Sequence, residues 1–323
     1  MIRVGLVGIG TMGNVHYKAY KNIEGAEVVA VAEIRADVAK EKIGEDAVNL
    51  YSSMEEMMAN EELDMIDICT PTYMHAPMSI KALEAGYHVI CEKPMSLSSK
   101  DTGAMIEAAK KSGKKFMIAQ VVRFMKPYEY LKSVVDSGEL GKVVHVEFKR
   151  GSALPSKSWE HWLQDVERSG GTPIDLTVHD VDFAQYVFGQ PNKVWSTYRK
   201  MRDNCDCITS NLVYDDFDIL ISAGWYKCPK PFKDEYVAVF EDGYIENIGG
   251  GKVLKNGEPL DLGAQRMGNK ENLYEISDSG YENEIRYFVN AIINNTDTDK
   301  VAPESSEASI KLCEKILENA YLI

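Results

Sequence analysis

The chain has 323 residues, enough to bury a large core and to divide into two domains. Its formal net charge of -14 argues against nucleic acid or an anionic membrane as partner, because both are polyanions. A small anionic substrate held by a few local cations stays compatible with that charge. At 45% hydrophobic and 27% charged, with no biased tract and no internal repeat, the composition is that of an ordinary globular protein.

Met1-Ile2-Arg3-Val4-Gly5 runs straight into a strand, without a signal-peptide pattern, and no apolar run is long enough to span a bilayer. Cys69, Cys91, Cys205, Cys207, Cys228 and Cys313 form no CxxC pair, so reduced thiols of a cytoplasmic protein are expected, without a metal or disulfide framework. Ile2–Val7 reads as strand and Met12–Lys21 as helix, followed by strand Glu27–Ala32 and helix Arg35–Lys42. Val48–Tyr51, Met65–Cys69, His88–Cys91 and Lys115–Ala119 continue as strands, with helices starting at Ser53, Ala76 and Ser98 between them. Such alternation gives βαβ units and a parallel sheet. The unbroken apolar run Val28-Val29-Ala30-Val31-Ala32 suits a strand covered on both faces. Residues 1–120 are therefore expected to form a doubly wound, Rossmann-type nucleotide-binding domain.

The first turn is Gly8-Ile9-Gly10-Thr11-Met12-Gly13, which follows a strand and opens a helix. Gly8 suits the tight turn, Gly10 the approach of a pyrophosphate, and Gly13 close helix–strand packing. The helix N-terminus behind them offers N–H groups and a positive dipole end. Glu33 lies about 20 positions on, as the dinucleotide fingerprint requires. A carboxylate there binds ribose hydroxyls and repels a 2′-phosphate, favouring NAD. Arg35 leaves NADP open, since a nearby arginine can accept that phosphate; it is equally readable as a solvated first-turn residue.

Two loops follow at carboxyl ends of strands, where open α/β sheets bind ligands. Thr70-Pro71 with His75 comes after the fourth strand, although His75 can simply begin the next helix at the surface. Glu92-Lys93-Pro94 comes after the fifth; the proline restricts Lys93 and is compatible with a cis bond. A lysine near a nicotinamide can polarise a hydroxyl as a cation or titrate at lowered pKa.

Gly170-Gly171-Thr172-Pro173 introduces a further helix on which Asp175, His179 and Asp182 fall at i, i+4 and i+7, on one face. A carboxylate one turn from a histidine can fix the imidazole tautomer and stabilise its protonated form, the raw material of acid–base catalysis. A polar stripe facing solvent is the plainer interpretation of the same spacing.

Taken in order, Gly8–Gly13, Thr70-Pro71 with His75, Glu92-Lys93-Pro94 and the stretch from Gly170 to His179 resemble the Gfo/Idh/MocA family. Gln120–Arg123, leading to Phe124 and Pro127-Tyr128, is similar to that family's crossover between domains. The resemblance covers essentially the whole chain. It implies, for residues 121–323, an α/β domain on a large, open, mainly antiparallel sheet for substrate binding and oligomerisation, hence a homodimer or homotetramer, with the last helix free to pack back on the first domain. The sequence agrees: Val143–Arg150, Lys193–Tyr198, Cys207–Tyr214, Ile219–Tyr226 and Tyr236–Phe240 read as strands, and Asp242-Gly243 as a hairpin turn. Residues 249–280, rich in Gly, Asn, Asp and Lys, read as irregular surface structure or a mobile loop. Tyr281–Asn294 and Glu304–Tyr321 read as closing helices.

By the same resemblance, Lys93, Asp175 and His179 match the family's catalytic residues. The cofactor set is then Gly8–Gly13, Glu33, Arg35, Thr70, Pro71, His75, Glu92, Lys93 and Gln120, with NAD favoured and NADP possible. Arg123 and Trp159 join the substrate side, each with a structural alternative: a salt bridge for Arg123, and for Trp159 core packing of a short amphipathic helix on which Trp162 lies one turn away. His145 and His161 are read as structural. The implied activity is reversible oxidation of a secondary alcohol on a sugar or cyclitol, with no metal. His179 would take the hydroxyl proton, Lys93 stabilise the alkoxide, and Asp175 orient substrate and imidazole. The alternatives are an NAD-dependent glycosidase with an internal redox cycle, and a non-catalytic nucleotide sensor. Asp182 is expected to support the site rather than act in it.

Overall fold

The computed structural model describes residues 1–263 and 280–323. The chain begins with β1 (Ile2–Val7), α1 (Thr11–Tyr20), β2 (Ala26–Ala32), α2 (Ala36–Ile43), β3 (Asn49–Tyr51), α3 (Met54–Asn60) and β4 (Met65–Ile68). It continues through α4 (His75–Glu84), β5 (His88–Glu92), α5 (Ser99–Ser112) and β6 (Phe116–Ala119). Then come α6 (Lys126–Ser137), β7 (Val143–Ala153), a short α7 (Val166–Ser169), α8 (Val178–Phe188), β8 (Lys193–Lys200), β9 (Asp206–Val213) and β10 (Asp218–Tyr226). The last elements are β11 (Lys233–Phe240), β12 (Gly243–Asn247), β13 (Val253–Lys255), β14 (Glu258–Leu260), α9 (Gly280–Asn294), α10 (Pro303–Glu318) and β15 (Ala320–Leu322).

Two compact units result, the first from Met1–Val121 with 280–307, the second from 122–263 with Ala308–Ile323. In the first, six strands lie in the order β3-β2-β1-β4-β5-β6, all parallel. This is the doubly wound arrangement expected from alternating strands and helices. β4 and β6 are buried at every position; β6 is accordingly a continuous apolar run, and β4 is one apart from the buried Asp67. Helix starts follow capping chemistry: Ser53 Oγ accepts from Glu56 N at 3.1 Å, and Ser98 Oγ from Asp101 N at 3.3 Å.

The second unit carries a nine-stranded sheet, β14-β13-β12-β11-β7-β10-β9-β8-β15. It is mostly antiparallel, with β10 parallel to β7 and β15 parallel to β8. Inward positions alternate along β8, where Val194, Ser196 and Tyr198 are buried while Trp195 is 65% exposed. Tyr128 of α6 and Phe183 of α8 meet edge-on at 4.9 Å, and Tyr128 lies 5.3 Å from Tyr236 of β11, so these helices seal one sheet face with an aromatic core.

Four local features differ from the sequence expectation. The Gly170 helix is not continuous: Thr172–Leu176 is a π-turn closed by Thr177 N on Thr172 O at 2.9 Å, and only then does α8 begin. Trp159–Gln164 is a 3₁₀ segment bent at Glu160 and His161, whose φ values are 45° and 56°, and neither Trp159 nor Trp162 is buried. Within 249–280, β13 and β14 form a hairpin extending the sheet; residues 264–279 lie outside those described. The last helix stops at Glu318, because Ala320–Leu322 gains main-chain partners on β8 instead. Among the described residues, no helix is long and apolar enough to cross a membrane.

Candidate functional site

In the first unit the Gly8–Gly13 turn joins β1 to α1. Gly8 sits at φ 84°, and a Cβ there would lie 2.8 Å from Cys69 O. A Cβ on Gly13 would lie 1.9 Å from Gly8 O, so α1 rests directly on the turn that precedes it. Around Gly10, by contrast, nothing lies within 4 Å of the Cβ position. Gly10 caps α1 with no side-chain hydrogen bond, and the first turn, which includes Thr11 and Met12, has no acidic residue. The helix N-terminus is thus left to an anion. Thr70 Oγ1 is buried beside this turn without a hydrogen-bond partner among the described residues. These features fit a dinucleotide phosphate. Gly13→Ala is expected to cost about 1–3 kcal/mol through overpacking and to weaken NAD binding, checked by denaturant unfolding and by calorimetry.

Glu33 follows β2 and is 8% exposed. Its Oε2 accepts from Ile9 N at 3.1 Å, which ties the end of β2 to the glycine turn. Its Oε1 accepts from Arg35 N at 3.1 Å and Arg35 Nε at 2.8 Å. Burial alone would raise the Glu33 pKa, but the Arg35 side chain and the two amides outweigh it and hold the carboxyl below its ordinary range. Arg35 is therefore engaged by Glu33.

At the carboxyl ends of β4 and β5, Thr70-Pro71 enters a single 3₁₀ turn, and the Lys93-Pro94 bond is cis. His75 is buried rather than at the surface. Its Nδ1 lies 2.7 Å from Pro94 O and its Nε2 2.9 Å from Thr70 O, so the ring sits between the two loops and, when neutral, donates to one of them. Burial is the main influence on this ring and lowers its pKa. Lys93 is half-buried. Glu92 points inward, 5% exposed, with Oε1 3.1 Å from His16 Nε2 and Oε2 accepting from Lys93 N at 3.0 Å. Gln120 is 1% exposed, its amide 3.5 Å from Ser306 Oγ.

In the second unit, Gly170 and Gly171 take φ values of 77° and 62° and turn the chain into the π-turn. Asp206 of β9 holds its start, accepting from Thr172 N at 3.1 Å and from Tyr198 OH at 2.8 Å. Asp175 lies in the π-turn, 8% exposed, and His179 one turn on in α8, half-buried. The π-turn ends before α8 and so can change the phase only between Asp175 and His179; Asp182 faces the interior. It takes a bidentate bond from Arg123, Nε at 2.7 Å and Nη2 at 2.6 Å, and a third from Ser309 Oγ at 2.9 Å. Arg123 is 2% exposed, so of its two readings the structure contains the salt bridge. Trp159 sits in the separate 3₁₀ segment.

Two functional-scale features escaped sequence reasoning. Asp180, next to His179, pairs with Arg150 of β7 at 2.7 Å, and Arg150 also donates to Tyr128 OH at 3.1 Å. A signal existed, since Arg150 occupies an inward position of an alternating strand, and a charge there needs a partner. His16 on α1, wholly buried, was the other; nothing in its local sequence separates it from an ordinary helix residue.

The chain thus joins a parallel Rossmann unit carrying an anion-ready glycine turn to a mostly antiparallel α/β unit. Residues 2–120 match the family model described as "Oxidoreductase family, NAD-binding Rossmann fold", and 128–246 match the GFO/IDH/MocA C-terminal domain. The chain belongs to the Gfo/Idh/MocA family. It is 31% identical over 192 residues to a myo-inositol 2-dehydrogenase of Thermotoga maritima, an alignment covering 58% of this chain and 55% of that one. The chain thus spans little more than half the length of the curated relatives it matches. An Agrobacterium radiobacter oxidoreductase solved with NAD+, L-tartaric acid and magnesium has a similar fold (TM-score 0.86, 19% identity, covering 99% of this chain and 96% of that one). So does a Lactobacillus casei scyllo-inositol dehydrogenase with NAD(H) and scyllo-inositol (TM-score 0.80, 19% identity, covering 99% and 97%).

Proposed function

We propose that this protein is an NAD-dependent dehydrogenase that interconverts a secondary alcohol and a ketone on a sugar, cyclitol or related polyol. The observation that carries the reading is the glycine turn whose own Ile9 amide is bound by Glu33, behind an uncapped helix N-terminus. The naming of family relatives as inositol dehydrogenases supports the substrate class. NAD, when bound, supplies the hydride-accepting nicotinamide. Lys93 is assigned to the developing negative charge on the substrate oxygen, as an ammonium ion at the carboxyl end of a strand. His179 takes the hydroxyl proton as general base, and Asp175 orients and stabilises the protonated ring. The first unit would bind cofactor and the second substrate, with a homodimer or homotetramer through the open sheet face, which sedimentation would test.

Preference for NAD over NADP follows from Glu33, whose carboxylate must be discharged from Arg35 before that guanidinium can accept a 2′-phosphate. Glu33→Ser is expected to raise the NADP-to-NAD ratio of kcat/KM by about tenfold, some 1.4 kcal/mol. An unchanged ratio removes Glu33 from cofactor choice.

A further inference from the structure

Inside the first unit lies a polar cluster that the proposed chemistry does not use. His16 of α1, 0% exposed, has Nδ1 2.9 Å from Asp67 Oδ2 of β4 and Nε2 3.1 Å from Glu92 Oε1 of β5. Tyr20 OH also donates to Asp67, at 2.9 Å, and Cys69 Sγ lies 3.4 Å from it. Glu284 of α9 is fully buried in the same charge environment, neighbouring Glu92, His16 and Asp67, and neither of its carboxyl oxygens has a hydrogen-bond partner among the described residues.

Charge bookkeeping assigns the protons. Both ring nitrogens face carboxylate oxygens, so both are satisfied only as donors and the ring is an imidazolium between two carboxylates. A third carboxyl in that volume, with no donor on either oxygen, is held at least cost as the neutral acid. The electrostatics agree. Burial would lower the His16 pKa, but the Asp67 charge lifts it well above the ordinary value. Burial, then Glu92, push the Glu284 carboxyl up. Burial and Asp67 likewise keep the Tyr20 hydroxyl and the Cys69 thiol protonated.

The outcome reaches Lys93 through the main chain. The Glu92 carboxylate that receives His16 on one oxygen receives the Lys93 amide on the other, at 3.0 Å. We propose that His16, bridging Asp67 and Glu92, is a positioning residue for Lys93: its two hydrogen bonds fix the carboxylate that fixes the Lys93 backbone. The proposal rests on the assignment of Lys93 to catalysis. Glu284 is the neutral member of the cluster, so its amide isostere should replace it without disturbing Lys93.

Trace acylation with acetic anhydride, read lysine by lysine by mass spectrometry across pH, tests this without turnover. In His16→Asn the Lys93 labelling profile should shift from wild type while that of exposed Lys40 does not, and kcat should fall by about 10²-fold with NAD affinity kept. Glu284→Gln should leave Lys93 labelling and kcat unchanged. It should also raise thermal stability by a margin that grows with pH. The sign follows from linkage: a carboxyl with raised folded pKa binds more protons folded than unfolded, so its contribution falls as pH rises above the ordinary carboxylate range. If His16→Asn does not fold, Glu92→Gln, which can still accept from the Lys93 amide but carries no charge, must shift the same labelling profile. A wild-type Lys93 profile in a folded His16 or Glu92 variant overturns the proposal, as does a Glu284→Gln profile displaced as far as that of His16→Asn. Full turnover by Lys93→Ala would instead remove the catalytic assignment, leaving the labelling result to judge positioning alone.

Discussion

His179→Asn is expected to lower kcat by about 10²–10⁴-fold, the range typical of a positioned acid–base group. Asparagine keeps a polar side chain of similar reach but cannot accept a proton at neutral pH, so cofactor affinity by calorimetry should stay near wild type. Loss should be confined to steps in which the hydroxyl proton leaves. His179 begins α8, and the helix is anchored independently of it by buried ion pairs at Asp180 and Asp182. The substitution should therefore leave the melting temperature within a few degrees of wild type, about what a change of 1 kcal/mol produces in a domain of this size. Lys93→Met should give a loss of comparable size, measured as initial rate of NAD reduction at saturating substrate. Turnover near wild type in both variants would withdraw the relay.

Arg123→Ala should destabilise the second unit by about 3–5 kcal/mol. Its guanidinium and the Asp182 carboxylate are 2% and 0% exposed, joined by bonds of 2.7 and 2.6 Å, and the ring of Tyr186 lies 4.6 Å from the guanidinium carbon. Removing the arginine leaves a buried carboxylate with, among the described residues, only Ser309 to satisfy it. The loss comes from that uncompensated charge more than from the attraction itself, which is offset by desolvation of both ions. Replacing both partners with apolar residues of similar volume, Arg123→Met with Asp182→Leu, should then recover most of the stability. Urea unfolding of the single and double variants checks the claim. A double variant as unstable as Arg123→Ala would mean that the pair stabilises the fold on its own account.

Legibility in the sequence followed the range of the interaction. The strands of the first sheet stand out because both faces are covered, and Val28–Ala32 shows this as an unbroken run. The glycine turn and Glu33 belong to one βαβ unit, where a short motif carries its own context. The hairpin at Asp242-Gly243 was visible for the same reason. What stayed hidden joins residues far apart or differs by one hydrogen bond. Arg123 and Asp182 are 59 positions apart, and a lone arginine suits a substrate anion as well as a buried carboxylate. The π-turn at Thr172–Leu176 replaces an i+4 bond by an i+5 bond, a change that Pro173 and its neighbours do not announce, yet it changes the phase between Asp175 and His179. His16 sits on a helix whose pattern is ordinary; its meaning comes from Asp67, Glu92 and Glu284 on three other elements. The Trp159 segment misled because two tryptophans at helical spacing ignore the positive φ of the residues between them.

Under the proposed function, this family member moves a hydride between NAD and a polyol. That transfer is tested most directly by following nicotinamide absorbance while the purified protein is offered NAD with a panel of cyclitols, aldoses, uronates and nucleotide sugars. The account predicts saturable NAD reduction with one class of polyol, lost in Lys93→Met and His179→Asn. Tight NAD binding with no net NADH from any member of the panel would contradict it.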